Sequence, residues 1–132
     1  MSGKVERVEV ITLLLVGSAL VAGFTIIATT PLHEGLHWVM SQYFDPYIEP
    51  VEFHVFDGMQ PGKTENFLFS ALGYVVVKEA YPGAFEDRPV WADMLQEIIC
   101  IATQTIIACL VVFKFLAFVA RRRPDLMDKL YL

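Results

Sequence analysis

Cysteine and basic charge are both scarce in this chain of 132 residues, and each shortage excludes a class of protein. The two cysteines, Cys100 and Cys109, lie in one apolar stretch. On a helix they would be about 13 Å apart, too far for a disulfide, and no CxxC metal or redox motif is present. Ten basic residues against 15 acidic ones give a formal net charge of -5. A nucleic-acid-binding protein normally shows the opposite balance.

Charged residues of either sign make up only 19% of the chain, whereas 55% of the residues are hydrophobic. This composition is too apolar for a disordered chain and unusual for a small soluble domain. No charged residue occurs from 10 to 32, and from 98 to 120 the only one is Lys114. Because about 20 residues of helix cross the hydrocarbon core, the sequence predicts two transmembrane helices, at about 10–32 and 95–120. The alternative, two core helices of a soluble domain, is disfavoured because so short a chain can hardly enclose them.

Basic residues beside the apolar stretches predict the orientation of the chain. Arg121, Arg122 and Arg123 directly follow the second stretch, whereas residues 45–93 include nine acidic and three basic residues. Basic residues concentrate on the cytoplasmic side, so we expect both termini there, with a cytoplasmic tail over 121–132 and an extramembrane segment between the spans. The first span is longer than the apolar core of a signal peptide. We therefore expect an integral protein of the cell membrane with an uncleaved signal anchor.

A motif that carries chemistry begins where the first apolar stretch ends. Residues 31–40 read PLHEGLHWVM, which contains the HExxH pattern as His33, Glu34 and His37. On a helix, residues i and i+4 share one face, so both imidazoles can reach one zinc ion. The glutamate between them can activate a water molecule at the metal. The pattern therefore predicts a Zn2+ site with His33 and His37 as ligands and Glu34 as the catalytic group.

The residues around the motif predict a helix of their own. Pro31 suits the first turn of a helix, and the pair Asp45-Pro46 suits its end. We expect a helix over about 31–44 that extends the first span through a kink. The alternative for the two histidines is an interfacial position beside Trp38, as in an aromatic belt at a membrane surface.

A zinc site of this kind needs a third protein ligand, and distance along the two spans narrows the choice. At ~1.5 Å per residue, His33 and His37 lie about 34 and 40 Å along the first helix. Counted back from the basic end of the second helix, Glu97 lies at about 36 Å and Asp93 at about 42 Å. Glu97 is therefore the first candidate, and Asp93 and His54 are the alternatives; both acids can equally be solvated charges at the start of a span. One face of the predicted second helix is polar, with Asp93, Glu97, Cys100 and Gln104.

The segment at about 45–93 predicts a small antiparallel sheet. Residues 51–57 alternate between apolar and polar side chains, as in a half-buried strand. Residues 64–79 favour a second strand by propensity, and Gly73 is a candidate bulge. Turns are predicted at Asp57-Gly58 and at Pro82-Gly83. An exposed edge of such a sheet can hold a substrate peptide as an added strand; the alternative is a sheet that only covers the site.

These features resemble the membrane-embedded metalloproteases of the site-2 protease type. The resemblance covers about residues 10–80 and rests on the span that leads into HEGLH, on 51–56 and on 64–78. In that family two histidines and a later aspartate in a DG-containing helix bind zinc, and the glutamate activates water. The DG pair of this chain, Asp57-Gly58, precedes the second span, so the resemblance gives the third ligand no counterpart.

The leading interpretation is a two-span zinc metallopeptidase that hydrolyses a peptide bond near the membrane surface with a zinc-bound water. Its partners would be a peptide or membrane-protein substrate and the lipid bilayer, and no nucleic acid. Two spans shield a charged site poorly, and small residues from Gly17 to Gly23 allow close helix packing, so we expect a homodimer or larger membrane complex. The alternatives are a non-catalytic subunit or assembly factor, with or without a structural metal, and a metal-binding protein without hydrolysis.

Overall fold

The computed structural model describes residues 2–56 and 72–131, and these residues are mostly helical. A two-stranded sheet accompanies the helices. In chain order the elements are α1 Ser2–Ala28, α2 Thr30–Tyr43, β1 Ile48–Val55, β2 Gly73–Glu79, α3 Ala84–Asp87, α4 Trp91–Arg122 and α5 Pro124–Tyr131. The predicted turn at Asp57-Gly58 and the part of the second predicted strand before residue 72 lie outside the described residues.

Helices α1 and α4 contain the two candidate membrane spans. The apolar segments are Glu6–Ala28, of mean hydropathy 2.5, and Trp91–Arg122, of mean hydropathy 2.2. Only 6% and 11% of their most apolar stretches are buried within the chain, so the chain does not enclose them as a soluble core would. By length and composition, both helices can cross a membrane.

The chain divides into two compact units, the first formed by residues 1–26 with 105–132. In this unit a small residue of α1 accommodates a large one of α4. A Cβ atom on Gly17 would lie 3.1 Å from the ring of Phe115, so glycine allows the ring to approach the helix closely. The close packing expected of this glycine therefore occurs within the chain. Helix α5 adds an ion pair to α1, in which Lys129 Nζ lies 3.3 Å from a carboxylate oxygen of Glu6.

The second unit, residues 27–104, contains α2, the sheet, α3 and the first part of α4. Helix α2 forms where the motif predicted a helix. Thr29 precedes it, and Pro31 lies in its first turn, where a missing N–H leaves no hydrogen bond unmade. Before Asp45-Pro46 the helix ends with the N–H of Phe44 bonded to the carbonyl of Met40.

The two strands pair antiparallel, as predicted, and α2 packs on them. The register runs from Ile48 opposite Glu79 to Val55 opposite Gly73, so β1 begins earlier than predicted. The expectation of a bulge at Gly73 is wrong, because the irregularity lies on β1 between Pro50 and Glu52. Proline lacks the N–H that a regular ladder requires, which suits an irregularity at this position.

The connection from β2 to α4 is more ordered than the predicted loop. Gly83 has a φ of 84°, a left-handed conformation that glycine adopts without a steric penalty. Directly after it the short helix α3 begins at Ala84, which is fully buried. The turn at Pro82-Gly83 thus leads into a helix, which positions Arg88 for the contacts described below.

Candidate metal centre

Two histidines of α2 form the centre of the site. The rings of His33 and His37 have their centroids 5.0 Å apart and are tilted by 56°. Their side chains are only 16% and 15% exposed. The spacing of four residues places both on one face of α2, so the helix alone determines that the rings are neighbours.

Glu97 of α4 faces both rings. One carboxylate oxygen lies 3.7 Å from Nε2 of His33, and the other lies 3.4 Å from Nε2 of His37. The side chain of Glu97 is 55% exposed, so it forms the open side of the group. The structure thus places the first candidate for the third ligand beside the two histidines.

Two glutamine side chains of α4 form hydrogen bonds with the other ring nitrogen, Nδ1, of the two histidines. Nδ1 of His33 lies 2.9 Å from Oε1 of Gln104, and Nδ1 of His37 lies 3.3 Å from Oε1 of Gln96. An amide oxygen only accepts hydrogen bonds, so each Nδ1 carries the proton and donates it. Nε2 of each ring is the nitrogen that faces the carboxylate of Glu97. In metal sites, partners at the second ring nitrogen fix the tautomer and the orientation of histidine ligands in this way.

The orientation of Gln96 is itself fixed by a buried ion pair. The amide nitrogen of Gln96 donates to Oδ2 of Asp45 over 3.1 Å. A carboxylate only accepts, so this contact orients the amide oxygen toward His37. Asp45, with a side chain 5% exposed, is in turn bound by Arg88 at 2.9 Å. The chain Arg88–Asp45–Gln96–His37 thus connects the residue after α3 to the site.

Glu34 belongs to α2, and its side chain lies between this helix and Gly73 at the end of the sheet; the residue is 8% exposed. It packs directly on Gly73, where a Cβ atom would lie 2.7 Å from Cγ of Glu34. Burial raises the pKa of Glu34 above its ordinary value, although His33 and His37 oppose this effect. The missing side chain at Gly73 is therefore what leaves space for the glutamate of the motif.

We expect Gly73→Ala to lower the free energy of unfolding by about 1–3 kcal/mol, as overpacking of a filled interior does. The new methyl group would also lie 2.8 Å from the carbonyl oxygen of His54, which belongs to the paired strand and cannot move independently. The matched control is Gly35→Ala within the motif, because no described atom outside its own helix lies within 4 Å of that Cβ. Alanine favours a helix by about 1 kcal/mol over glycine, so the control should not destabilise.

Both variants are compared by chemical denaturation in detergent, followed by circular dichroism. Equal stability of Gly73→Ala and the wild type would contradict the tight packing of Glu34 on the strand.

No protein-family model, curated protein or solved structure matches this chain. The chemistry of the site is therefore the indication of its function, since a fold alone does not determine function. All the side chains named at the site belong to the unit formed by residues 27–104.

The other two candidate ligands have different partners. Asp93 is 72% exposed and binds Nη1 of Arg88, so it supports the ion pair at Asp45. Nε2 of His54 lies 3.1 Å from Oε2 of Glu52, and its ring stacks on Tyr74 at 4.6 Å between centroids. The structure thus brings Glu97 to the two histidines and places Asp93 and His54 in other interactions.

One close neighbour of the histidines, Cys100, was not among the candidate ligands. Ligand atoms of His33, His37 and Cys100 all lie within 4.8 Å of one another. Cys100 is fully buried, and its thiol donates a hydrogen bond to the backbone carbonyl of His33 at 3.6 Å. A signal for this placement exists in the sequence: Cys100 follows Glu97 by three residues, so both lie on one face of α4.

Proposed function

We propose that this chain is an integral-membrane zinc metallopeptidase that hydrolyses a peptide bond near the membrane surface. The observation that carries the proposal is the direction of the two imidazoles. Nδ1 of each ring is held by an amide oxygen, and Nε2 of each ring faces the carboxylate of Glu97. Two pre-oriented imidazoles and one carboxylate are the ligand set of many catalytic zinc sites.

The distances between the donor atoms fit the size of a zinc ion. Donors at about 2.0–2.2 Å from a tetrahedral ion lie about 3.3–3.6 Å from each other. Each histidine nitrogen lies close to this distance from one of the two oxygens of Glu97, at 3.7 Å for His33 and 3.4 Å for His37. A zinc ion held by His33, His37 and Glu97 would keep a fourth position for water or substrate, as hydrolysis requires.

Bound zinc would supply Lewis acidity, which polarises the scissile carbonyl and lowers the pKa of a water molecule. Glu34 is the general base in this proposal. It follows the first ligand directly in the chain and is held by packing on Gly73. In this position its carboxylate takes a proton from the attacking water and returns it to the leaving amine.

The membrane setting of this proposal rests on α1 and α4. Both are long and apolar enough to cross a bilayer, and only Thr29 separates the end of α1 from the start of the motif helix α2. Histidine and glutamate are costly at the edge of a membrane unless they have partners, and here they face one another and α4. In this arrangement α2 continues the first span through a kink at Thr29. Both termini are cytoplasmic in a cell membrane, and the substrate is a peptide or membrane protein.

The first test is the metal content of the full chain, purified in detergent and measured by elemental mass spectrometry. We expect about one zinc per chain in the wild type and almost none in a His33→Ala/His37→Ala double variant, because both imidazoles are lost. The matched control is His54→Ala, which removes the third histidine and should retain the zinc.

Circular dichroism of the double variant checks that α1, α2 and α4 still form. A wild-type protein that contains no zinc after zinc has been supplied would overturn the proposal. Zinc that is retained in a folded double variant would overturn it as well.

A further inference from the structure

The buried side of the site offers a donor that the proposed three-ligand arrangement leaves unused. We propose that the thiolate of Cys100 is a fourth protein donor to the metal, and that Glu97 is the donor that leaves when substrate binds. This inference rests on the proposed zinc site and specifies its ligand set and its opening.

The placement of Cys100 supports direct binding. Its sulfur and ligand nitrogens of His33 and His37 lie within 4.8 Å of one another. Around a tetrahedral zinc ion, sulfur and nitrogen donors lie about 3.6 Å apart, so these three atoms would have to approach one another by up to about 1 Å to share an ion. Glu97, Cys100 and Gln104 follow one another at spacings of three and four residues on α4, so one helix face supplies both donors and an amide partner.

The present hydrogen bond of the thiol is readily exchanged. Cys100 donates to the carbonyl oxygen of His33 over 3.6 Å, a contact between a weak donor and a backbone group. A metal ligand must be the thiolate, so binding would release the thiol proton, and a bond from sulfur to the metal would replace this hydrogen bond. The carbonyl oxygen of His33 keeps its position within α2.

The exposure of Glu97 and Cys100 indicates which of these two anionic donors leaves the metal when substrate binds. A site with four protein donors is closed, and hydrolysis needs a free position. Glu97 is 55% exposed on a flexible side chain, whereas Cys100 is fully buried on a short one. The carboxylate of Glu97 can therefore rotate into solvent, whereas the thiolate of Cys100 is enclosed by protein. The three permanent donors are then His33, His37 and Cys100, a set that favours zinc over the hard cations Mg2+ and Mn2+.

The test uses the full chain in detergent with Co2+ in place of zinc. A thiolate bound to Co2+ gives a charge-transfer absorption in the near ultraviolet. We expect this absorption in the wild type and in Glu97→Gln, and its loss in Cys100→Ser. Cys109→Ser is the matched control, because Cys109 is the other free cysteine and is exposed, so this variant should keep the absorption.

Zinc affinity and a displacing anion give two further readouts. In a chelator competition, Cys100→Ser should weaken zinc binding by more than about 100-fold, beyond the effect typical of partners outside the ligand set. Addition of acetohydroxamate, which binds metals through two oxygens, should change the visible bands of Co2+ and leave the thiolate absorption intact. Loss of that absorption on addition would mean that Cys100, and not Glu97, is the donor that leaves.

The outcomes separate this inference from the proposed function. Co2+ that is bound through the histidines without a thiolate absorption would overturn the role of Cys100 and leave the zinc site standing. The same holds if Cys100→Ser binds zinc as tightly as the wild type. A wild-type chain that binds neither Co2+ nor zinc would overturn the proposed function itself.

Discussion

Replacement of Glu34 by glutamine should abolish peptide hydrolysis and leave zinc bound. The two side chains have nearly the same shape, so the packing on Gly73 is preserved. An amide cannot take a proton from water at neutral pH, and loss of a general base typically costs about 10²–10⁴-fold in rate. The histidines and their amide partners are unchanged, so the metal content should remain at the wild-type level.

The measurement combines a library of quenched fluorogenic peptides with elemental analysis of the same samples. Glu52→Gln is the matched control, because Glu52 is 64% exposed on β1 and contacts His54 and not the metal site. It should cleave peptides at the wild-type rate. Full activity of Glu34→Gln would rule out the proposed mechanism, and a zinc-loaded wild type that cleaves no peptide would rule out a peptidase.

Replacement of either supporting glutamine by leucine should weaken zinc binding by about 10–100-fold, the range found when partners of histidine ligands are lost. Leucine fills a similar volume but cannot accept the hydrogen bond from Nδ1. The ring of His37 in Gln96→Leu, or of His33 in Gln104→Leu, is then free to rotate or to change tautomer. Affinity is measured by competition with a chelator of known strength.

A pair of carboxylate variants separates the accepting role from the shape of the side chain. Gln104→Glu still accepts the proton of His33 Nδ1 and should largely restore the affinity. Gln96→Glu places a second carboxylate against Asp45, which the amide nitrogen now contacts at 3.1 Å, and should not restore it. Gln42→Leu, an exposed position on α2, controls for a general effect of the substitution. Unchanged affinity in both leucine variants would contradict the role of the amides.

The features of the site that the sequence predicts are those that follow from regular spacing along a single helix. The HExxH pattern locates His33 and His37 because a helix brings residues i and i+4 together. Counting the rise along two spans predicted the level of Glu97, and the structure places it within 3.7 Å of both rings. The extent of α2 follows from Pro31 near its start and Asp45-Pro46 after its end. The two strands follow from the alternation of apolar and polar residues and from β-propensity.

What was missed depends on contacts between distant parts of the chain. Asp45 and Arg88 are 43 residues apart, and nothing local indicates that they meet and orient Gln96. A glycine within a strand can mark a bulge or a close approach of another group, and the sequence does not distinguish the two. The packing of α2 on the sheet shows that Gly73 accommodates Glu34. The polar face of α4 includes Cys100, but the sequence alone does not show that its sulfur lies near the two histidines.

The neutral character of the two glutamines has a consequence for the total charge of the centre. Zinc carries two positive charges, and the proposed donors Glu97 and Cys100 would carry one negative charge each, so the ion and these two donors would sum to zero. An uncompensated charge is costly where water is scarce, and carboxylates in place of the amides would leave the centre with a charge of about -2. Arg88, which supports Gln96 through Asp45, also binds the exposed carboxylate of Asp93. In the proposed centre, Gln96 and Gln104 would therefore orient both histidines without adding charge next to the metal.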